Sequence, residues 1–382
     1  MSNKRICVWS GKRGGFGALT PTMTAIEEHS DLDMALVVTD QHLYERFGRT
    51  VTEVEDRFPV AAAIDMEQAG DSNEERARAV GRCLQRSVDV LAELRPDVLL
   101  VIGDRGEVFA ACIAAHNMRI AIAHVQGGDL SGSLDEPVRH AISKLSHLHF
   151  PSTEQSAERL RRMGEEAWRI HVVGDTHIDQ ILLGEVTGPG ELCRRYGLEP
   201  DEPFILVLQH SDSTEPGDAG RQMEETLAAV LARGMRTLLV YPCSDQGYEG
   251  IIGAIEAARE RPGVSVHQNI PAADFIGLQK EAACLVGNSS AGLIEAPYFQ
   301  LPAVNVGDRQ IGRERAANVL DVGYERSAIA AALERALTDP RLKEALEKAK
   351  PPFGDGTAYR RITEVLAGLT VDGRLLNKRM SY

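Results

Sequence analysis

Short apolar runs alternate with longer helical patterns along most of this 382-residue chain, and few architectures accept that order. In the first half, Ile6–Trp9, Met34–Val38, Asp97–Ile102, Ile120–His124 and His147–Pro151 read as strands. Thr20–Glu28, Glu74–Leu94, Val108–His116 and Val138–Leu145 read as helices. Runs apolar at every position belong to strands buried on both faces, which implies a parallel sheet covered by helices. The alternation restarts after Val173-Gly174-Asp175. Strands are expected at Phe204–Leu208, Thr237–Tyr241, Val264–His267, Ala282–Val286 and Ala303–Val306, and helices at Glu224–Ala232 and Ile251–Arg259. The stretch Glu185–Pro203, rich in Gly, Pro and Glu, reads as a connecting element outside the core. The fold class is therefore α/β, with two doubly wound domains and a cleft between them.

Charge narrows the partners. Lys and Arg number 42 against 56 Asp and Glu, giving a formal net charge of −14. Such a chain repels nucleic acid and anionic membrane surfaces, so neither is an expected partner, although a local basic pocket for a phosphorylated small molecule is compatible with it. No apolar window reaches the roughly 18 residues of a membrane span. The apolar run ending at Trp9 is too short for a secretory signal, so a cytoplasmic protein is expected. Six cysteines without a CxxC pair read as reduced core residues, and no structural metal is expected. His147 and His149, alternating within a strand-like run, read as sheet packing.

Ligands of open α/β sheets sit beyond the carboxyl ends of strands. The polar residues of this chain gather there. Ser10-Gly11-Lys12-Arg13-Gly14-Gly15-Phe16-Gly17 follows the first strand, and its glycines do not fit GxGxxG, so a dinucleotide is not supported and no cofactor is expected. It reads as a tight strand-to-helix turn or an anion-binding loop. Gly103-Asp104-Arg105 follows the next long strand, where Asp104 is placed either for chemistry or to cap a helix. The densest group is His124-Val125-Gln126-Gly127-Gly128-Asp129 with Gly132, Asp135, Glu136, Arg139 and His140. Acids so close together raise one another's pKa toward the range useful for proton transfer. In the second half, Gln209-His210-Ser211-Asp212-Ser213 offers a histidine at a strand end. Gly287-Asn288-Ser289-Ser290-Ala291-Gly292 offers a phosphate cradle, with Glu295 one turn on for ribose hydroxyls. Arg309 and Arg313 supply guanidinium forks suited to phosphate oxygens.

These residues, taken with Arg139-His140-Ala141-Ile142-Ser143-Lys144-Leu145-Ser146-His147, Tyr241-Pro242 and Arg309-Gln310-Ile311-Gly312-Arg313, resemble the hydrolysing UDP-N-acetylglucosamine 2-epimerases of sialic-acid- and legionaminic-acid-type sugar biosynthesis. The resemblance runs nearly end to end. It implies a GT-B-like fold of two Rossmann-type domains with the active site in the interdomain cleft. The domains would span 1–174 and 175–361, with a C-terminal helix at 362–382 completing the first. It implies a homodimer or homotetramer, a UDP-sugar substrate and no metal or nicotinamide. The reaction it implies is anti elimination of UDP through a 2-acetamidoglucal, then hydration to N-acetylmannosamine. Carried over by position, Asp104, Asp129, Asp135, Glu136 and His210 are the catalytic candidates. Arg13, Arg105, Gln126, Ser289, Ser290, Glu295, Arg309 and Arg313 are the substrate-binding ones.

The departures cluster around the sugar. The family's first loop reads Arg-Ala-Asp-Tyr/Phe-Gly, and here it is Arg13-Gly14-Gly15-Phe16-Gly17. Gln126 stands where some members carry Glu, Asp129 where Glu is common, Ser211 for Pro and Cys243 for Asn. The expectation is a standard nucleotide site with an altered sugar, such as a 2,4-diacetamido-2,4,6-trideoxy sugar. The rival readings are a non-hydrolysing epimerase, a GT-B glycosyltransferase and a sugar-nucleotide-binding sensor.

Overall fold

The computed structural model describes residues 3–70, 72–131, 135–212, 214–243 and 245–382. Contacts divide the chain into two units: Met1–Leu130, Leu134–Leu183 and Phe353–Tyr382 form one, and Ser131–Ser133 with Gly184–Pro352 form the other.

The first unit holds strands β1 (Lys4–Ser10), β2 (Leu32–Thr39), β3 (Val60–Ile64), β4 (Val98–Ile102), β5 (Ala121–Val125) and β6 (Leu148–Phe150). Their order across the sheet is β3-β2-β1-β4-β5-β6, and every pair is parallel. Side chains alternate across the pleat, so Ile6 and Val8 enter the core on one face while Cys7 and Trp9 enter the core on the other. The second unit holds β7 (Phe204–Leu208), β8 (Arg236–Val240), β9 (Val264–His267), β10 (Cys284–Gly287), β11 (Ala303–Val306) and β12 (Val319–Val322). Their order, β12-β11-β10-β7-β8-β9, is the same doubly wound pattern read from the other edge. The order in which strands are laid across the sheet reverses between β1 and β4 in one sheet and between β7 and β10 in the other. Those are the points where this architecture leaves a crevice at strand ends.

Several expectations need correction. The helix expected at Thr20–Glu28 begins at Arg13, inside the glycine-rich stretch, and runs to Glu27. Phe16, Leu19, Met23 and Ile26 are buried at helical spacing, and that stripe overrides the poor helix propensity of Gly14, Gly15 and Gly17. Glu185–Pro203 is not merely a connection. It contains a helix, Pro189–Tyr196, started by Pro189 in its first turn and ended by left-handed Gly197, with Leu192 and Tyr196 in the core. The helical segment expected at 362–382 is a helix at Ala358–Gly368 followed by a short turn at Gly373–Leu376. Residues 175–183, assigned above to the second domain, lie with the first unit, as does 353–361. Asp179 explains this, because its carboxylate accepts the Ala358 N–H at 2.9 Å and so joins the two segments. β3 and β12 escaped the sequence reading because three of the five residues of β3 are alanine, a weak strand former, and Asp321 interrupts β12. His147 and His149 are buried, His147 accepting the Ile122 N–H at 3.0 Å and His149 bonded to Glu165 at 3.0 Å.

Gly287 ends β10 with φ +134°, and a Cβ there would lie 2.1 Å from the Leu208 carbonyl oxygen of neighbouring β7. Only glycine tolerates both the dihedral and the approach. Gly287→Ala is expected to destabilise the second unit by at least about 3 kcal/mol, read by denaturant unfolding. A loss of under about 1 kcal/mol would contradict this geometry.

Candidate active site

In the first unit, β4 ends at Ile102 and Gly103 leads on to Asp104 and Arg105, while β5 ends at Val125 and delivers Gln126 through Asp129. The Asp135–Leu145 helix brings Arg139 between them. Arg139 is buried, its Nη2 donates to Asp104 Oδ2, and its Nη1 lies 3.6 Å from Asp129 Oδ2. Asp129 also accepts from Ser156 Oγ at 2.6 Å. Burial disfavours charge on Arg139, but Asp104, Asp129 and Asp135 more than offset this and raise its pKa. One buried cation therefore gathers three of the predicted acids. Asp135 and Glu136 form the first turn of the helix, with Glu136 3.9 Å from His140. Gly132 lies outside the described residues.

Arg105 sits beside this group, buried and held on two edges. Its Nε donates to Glu107 Oε1 at 3.0 Å and its Nη2 to Asp40 Oδ2 at 3.2 Å. Arg76 completes the set, 3.3 Å from Glu107 and 3.6 Å from Asp40. Two acids and two arginines balance in charge, as buried ions must. Gly11 comes so close that a Cβ would stand 2.4 Å from Glu107 Oε1. Burial, and then the charge of Glu107, raises the pKa of Asp40. Sequence reasoning missed Asp40 and Arg76, and gave Glu107, which closes the Gly103–Glu107 stretch, no role of its own. Asp40 was findable, since it stands immediately beyond β2, where the strand-end rule applies. Arg13 begins its helix and pairs with Glu53 at 3.2 Å. His42 bonds Ser10 Oγ at 2.9 Å and Thr50 Oγ1 at 2.8 Å, and burial draws its pKa down to about 4.

Gln126 is turned toward Asp175. Its amide donates to Asp175 Oδ2 at 3.0 Å, from a backbone held at φ +63°. Asp175 also accepts from Ser152 Oγ at 2.9 Å and the His177 N–H at 2.9 Å, with the His177 ring at 2.8 Å. Burial opposes the Asp175 charge, yet the His177 ring and these donors hold its pKa at about 2. That is below the ordinary Asp value of about 3.9, so the stabilisation is complete above that value and is lost as the pH falls toward 2. About 2 kcal/mol is expected to disappear across that window, and Asp175→Asn is expected to flatten that part of the profile. Urea unfolding between pH 7 and 2 reads this, and an unchanged acid limb in the variant would contradict it. His124, also buried, bonds the Gly103 carbonyl at 2.7 Å and Ser143 Oγ at 3.1 Å, and burial draws its pKa to about 3. It ties the end of β4 to the Asp135–Leu145 helix as a neutral ring.

In the second unit, His210 follows β7 and Asn288-Ser289-Ser290 follows β10, so both stand at the switch point. Asn288 joins them: its Oδ1 accepts the His210 N–H at 2.7 Å and its Nδ2 donates to the His210 carbonyl at 2.9 Å. The His210 ring accepts the Cys243 N–H on Nδ1 at 3.0 Å. When neutral, the ring therefore carries its proton on Nε2, as a donor. Arg309 donates to the Asn288 carbonyl at 3.4 Å and to Asp245 at 3.0 Å. Gln310 donates to the same carbonyl at 2.9 Å, and Arg313 to Gln310 Oε1 at 3.1 Å. The structure thus links His210, Arg309 and Arg313 through Asn288 and Gln310, with Ser289 and Ser290 next to Asn288 in the chain. Ser289 Oγ accepts the Ala291 N–H at 3.3 Å. Glu295 instead accepts from Gln279 at 2.8 Å. Asn288 and Asp245 were missed as organisers, because an Asn in a small-residue loop reads as a turn residue. Ser213 lies outside the described residues.

Two sheets of one strand order, one with acids around an arginine at its switch point and the other with a histidine, a small-residue loop and arginines, give a GT-B-like fold with polar groups gathered at both switch points. The chain belongs to the UDP-N-acetylglucosamine 2-epimerase family, whose profile matches residues 24–367. It is 35% identical over 380 residues to the UDP-N,N'-diacetylbacillosamine 2-epimerase (hydrolyzing) of Legionella pneumophila, covering 99% of this chain and 100% of that one. It is 32% identical over 372 residues to a UDP-N-acetylglucosamine 2-epimerase of Neisseria meningitidis serogroup B, covering 95% of each. The crystal structure of UDP-GlcNAc 2-epimerase from Neisseria meningitidis bound to UDP-GlcNAc matches with a TM-score of 0.81 at 21% identity. The match covers 95% of this chain and 99% of that one, and it establishes the shared fold. Among the described residues, no helix is long and apolar enough to cross a membrane.

Proposed function

We propose that this enzyme is a hydrolysing 2-epimerase whose substrate is a UDP-linked 2,4-diacetamido-2,4,6-trideoxyhexose. A carboxylate takes the C2 proton, the C1–O bond breaks with its electron pair leaving on UDP, and a glycal results. Water then adds across the double bond, its hydroxyl to C1 and a proton to C2 from the opposite face, releasing the 2-epimer as free sugar. The observation that carries the chemistry is Arg139 bridging Asp104 and Asp129. It keeps two carboxylates together without mutual neutralisation, which two-sided proton transfer at C2 requires. Asp135 and Glu136 complete the acid–base group. Gln126 cannot accept a proton, and its amide is committed to Asp175, so Asp129 takes the acid's part on that strand end. In the second unit His210 Nε2–H serves the departing diphosphate, with Ser289 and Ser290 on phosphate and Arg309 and Arg313 toward the nucleotide. Arg13 and Arg105 contact the sugar-phosphate, and Glu295 the ribose.

The sugar assignment is supported by the Legionella relative and by Gly14 and Gly15. Nothing stands within 4 Å of a Cβ built at Gly14, and at Gly15 only Ile102 Cγ2 at 3.4 Å and Lys12 Cγ at 3.9 Å. The fold does not demand glycine there, although each glycine costs a helix about 1 kcal/mol. Loss of an acid that would hydrogen-bond a sugar hydroxyl suits a 6-deoxy sugar, against which a buried carboxylate would stand unpaired. The Neisseria relative favours UDP-N-acetylglucosamine as the second reading. UDP release from both substrates decides between them. At least about tenfold higher kcat/KM is expected for the diacetamido sugar. Equal or better turnover of UDP-N-acetylglucosamine would overturn the assignment.

A further inference from the structure

Lys378 reaches the far end of the helix that carries the acid group. Its Nζ donates to the carbonyls of Ser143 at 3.1 Å, Lys144 at 2.8 Å and Ser146 at 2.8 Å, and lies 2.6 Å from Glu165 Oε2. The Ser143 and Lys144 carbonyls belong to the last turn of the Asp135–Leu145 helix, the former also accepting the Ser146 N–H at 3.1 Å, and Ser146 stands just beyond it, so the cation meets the negative end of the helix dipole. Glu165 is fully buried and ties the same point to His149 of β6 at 3.0 Å and to Lys144 at 2.8 Å. The rest of the segment is fastened too: the Ser381 N–H donates to the Gly164 carbonyl at 3.1 Å, and Lys144 Nζ lies 3.2 Å from Met380 Sδ. The helix is a rod of about 16 Å, with Asp135, Glu136 and Arg139 toward one end and Lys378 clamping the other.

We propose that Lys378 is a positioning residue for the acid–base group, a latch that fixes the helix along its axis and so sets where Arg139 holds Asp104 and Asp129. This rests on the reading of those acids as catalytic. Lys378 touches none of them and acts through the helix. A sub-ångström slide of a helix displaces every group it carries, and misplacement of reacting groups lowers kcat far more than it weakens binding.

The test uses Lys378→Met and Lys378→Gln, the latter keeping two donors for the carbonyls while releasing Glu165. UDP release is measured on whichever UDP-sugar the wild-type enzyme turns over, and amide exchange across 135–146 is measured in parallel. The expected result is a kcat about tenfold lower in Lys378→Met with KM within about twofold, and faster exchange reaching residues 139–142 in both variants. A kcat within about twofold of wild type, or faster exchange confined to residues 143–146, overturns the proposal. If the wild-type enzyme turns over neither sugar, the proposed function fails, and the exchange pattern alone still decides the latch.

Discussion

Arg139→Met is expected to lower kcat by about a thousandfold or more and to destabilise the first unit by about 3–5 kcal/mol. Arg139 is buried, and it is the cation shared by Asp104 and Asp129. Methionine fills most of the volume but leaves two nearby carboxylates in a poorly solvated place. They would take up protons rather than stay charged, which moves both away from the state needed to accept the C2 proton. The stability loss follows from the same cause, because removing one partner of a buried ionic group strands the others. Denaturant unfolding and UDP release read the two effects. Retained activity with a stability loss below about 1 kcal/mol would mean that Arg139 does not organise the acids.

Asp104→Asn is expected to separate chemistry from nucleotide binding. The amide cannot accept a proton, so kcat should fall by about 10²–10⁴, the range for loss of a general acid or base. Its volume is unchanged, and Arg139 keeps Asp129 as a charged partner, so the fold should persist. UDP affinity should stay within about twofold, since the residues proposed for the nucleotide belong to the other unit. Calorimetric titration with UDP and exchange of the C2 proton measure the two sides. Loss of UDP binding in step with kcat would make Asp104 a binding residue and not a catalytic one.

The fold was legible because its strands are buried on both faces, and such runs are hard to mistake. Ile6–Trp9 and Phe204–Leu208 head the central strands, and both read correctly from apolar character alone. Val60–Ile64, with three alanines in five residues, and Val319–Val322, broken by Asp321, do not carry that signal and were missed. Composition misled at Glu185–Pro203, where proline at a helix start and glycine at its end are punctuation and not evidence of a loop. In the site, the strand-end rule located Asp104, Asp129 and His210. It could not say what each is bonded to. Arg139 stands ten residues beyond Asp129 on the following helix, and Arg76 reaches Asp40 and Glu107 from a distant one, so only the folded chain brings them together. Gln126 shows the same limit: it is at the right strand end, but its amide is turned to Asp175.

The central claim is that the acids around Arg139 remove the C2 proton and that water completes the reaction. It is tested most directly by proton NMR of the purified enzyme in D₂O with the UDP-linked 2,4-diacetamido sugar, and with UDP-N-acetylglucosamine in a second tube. The account predicts free 2-epimer carrying deuterium at C2, together with UDP, formed faster in the first tube. Sugar that remains attached to UDP after epimerisation, or UDP released with the C2 proton intact, would contradict it.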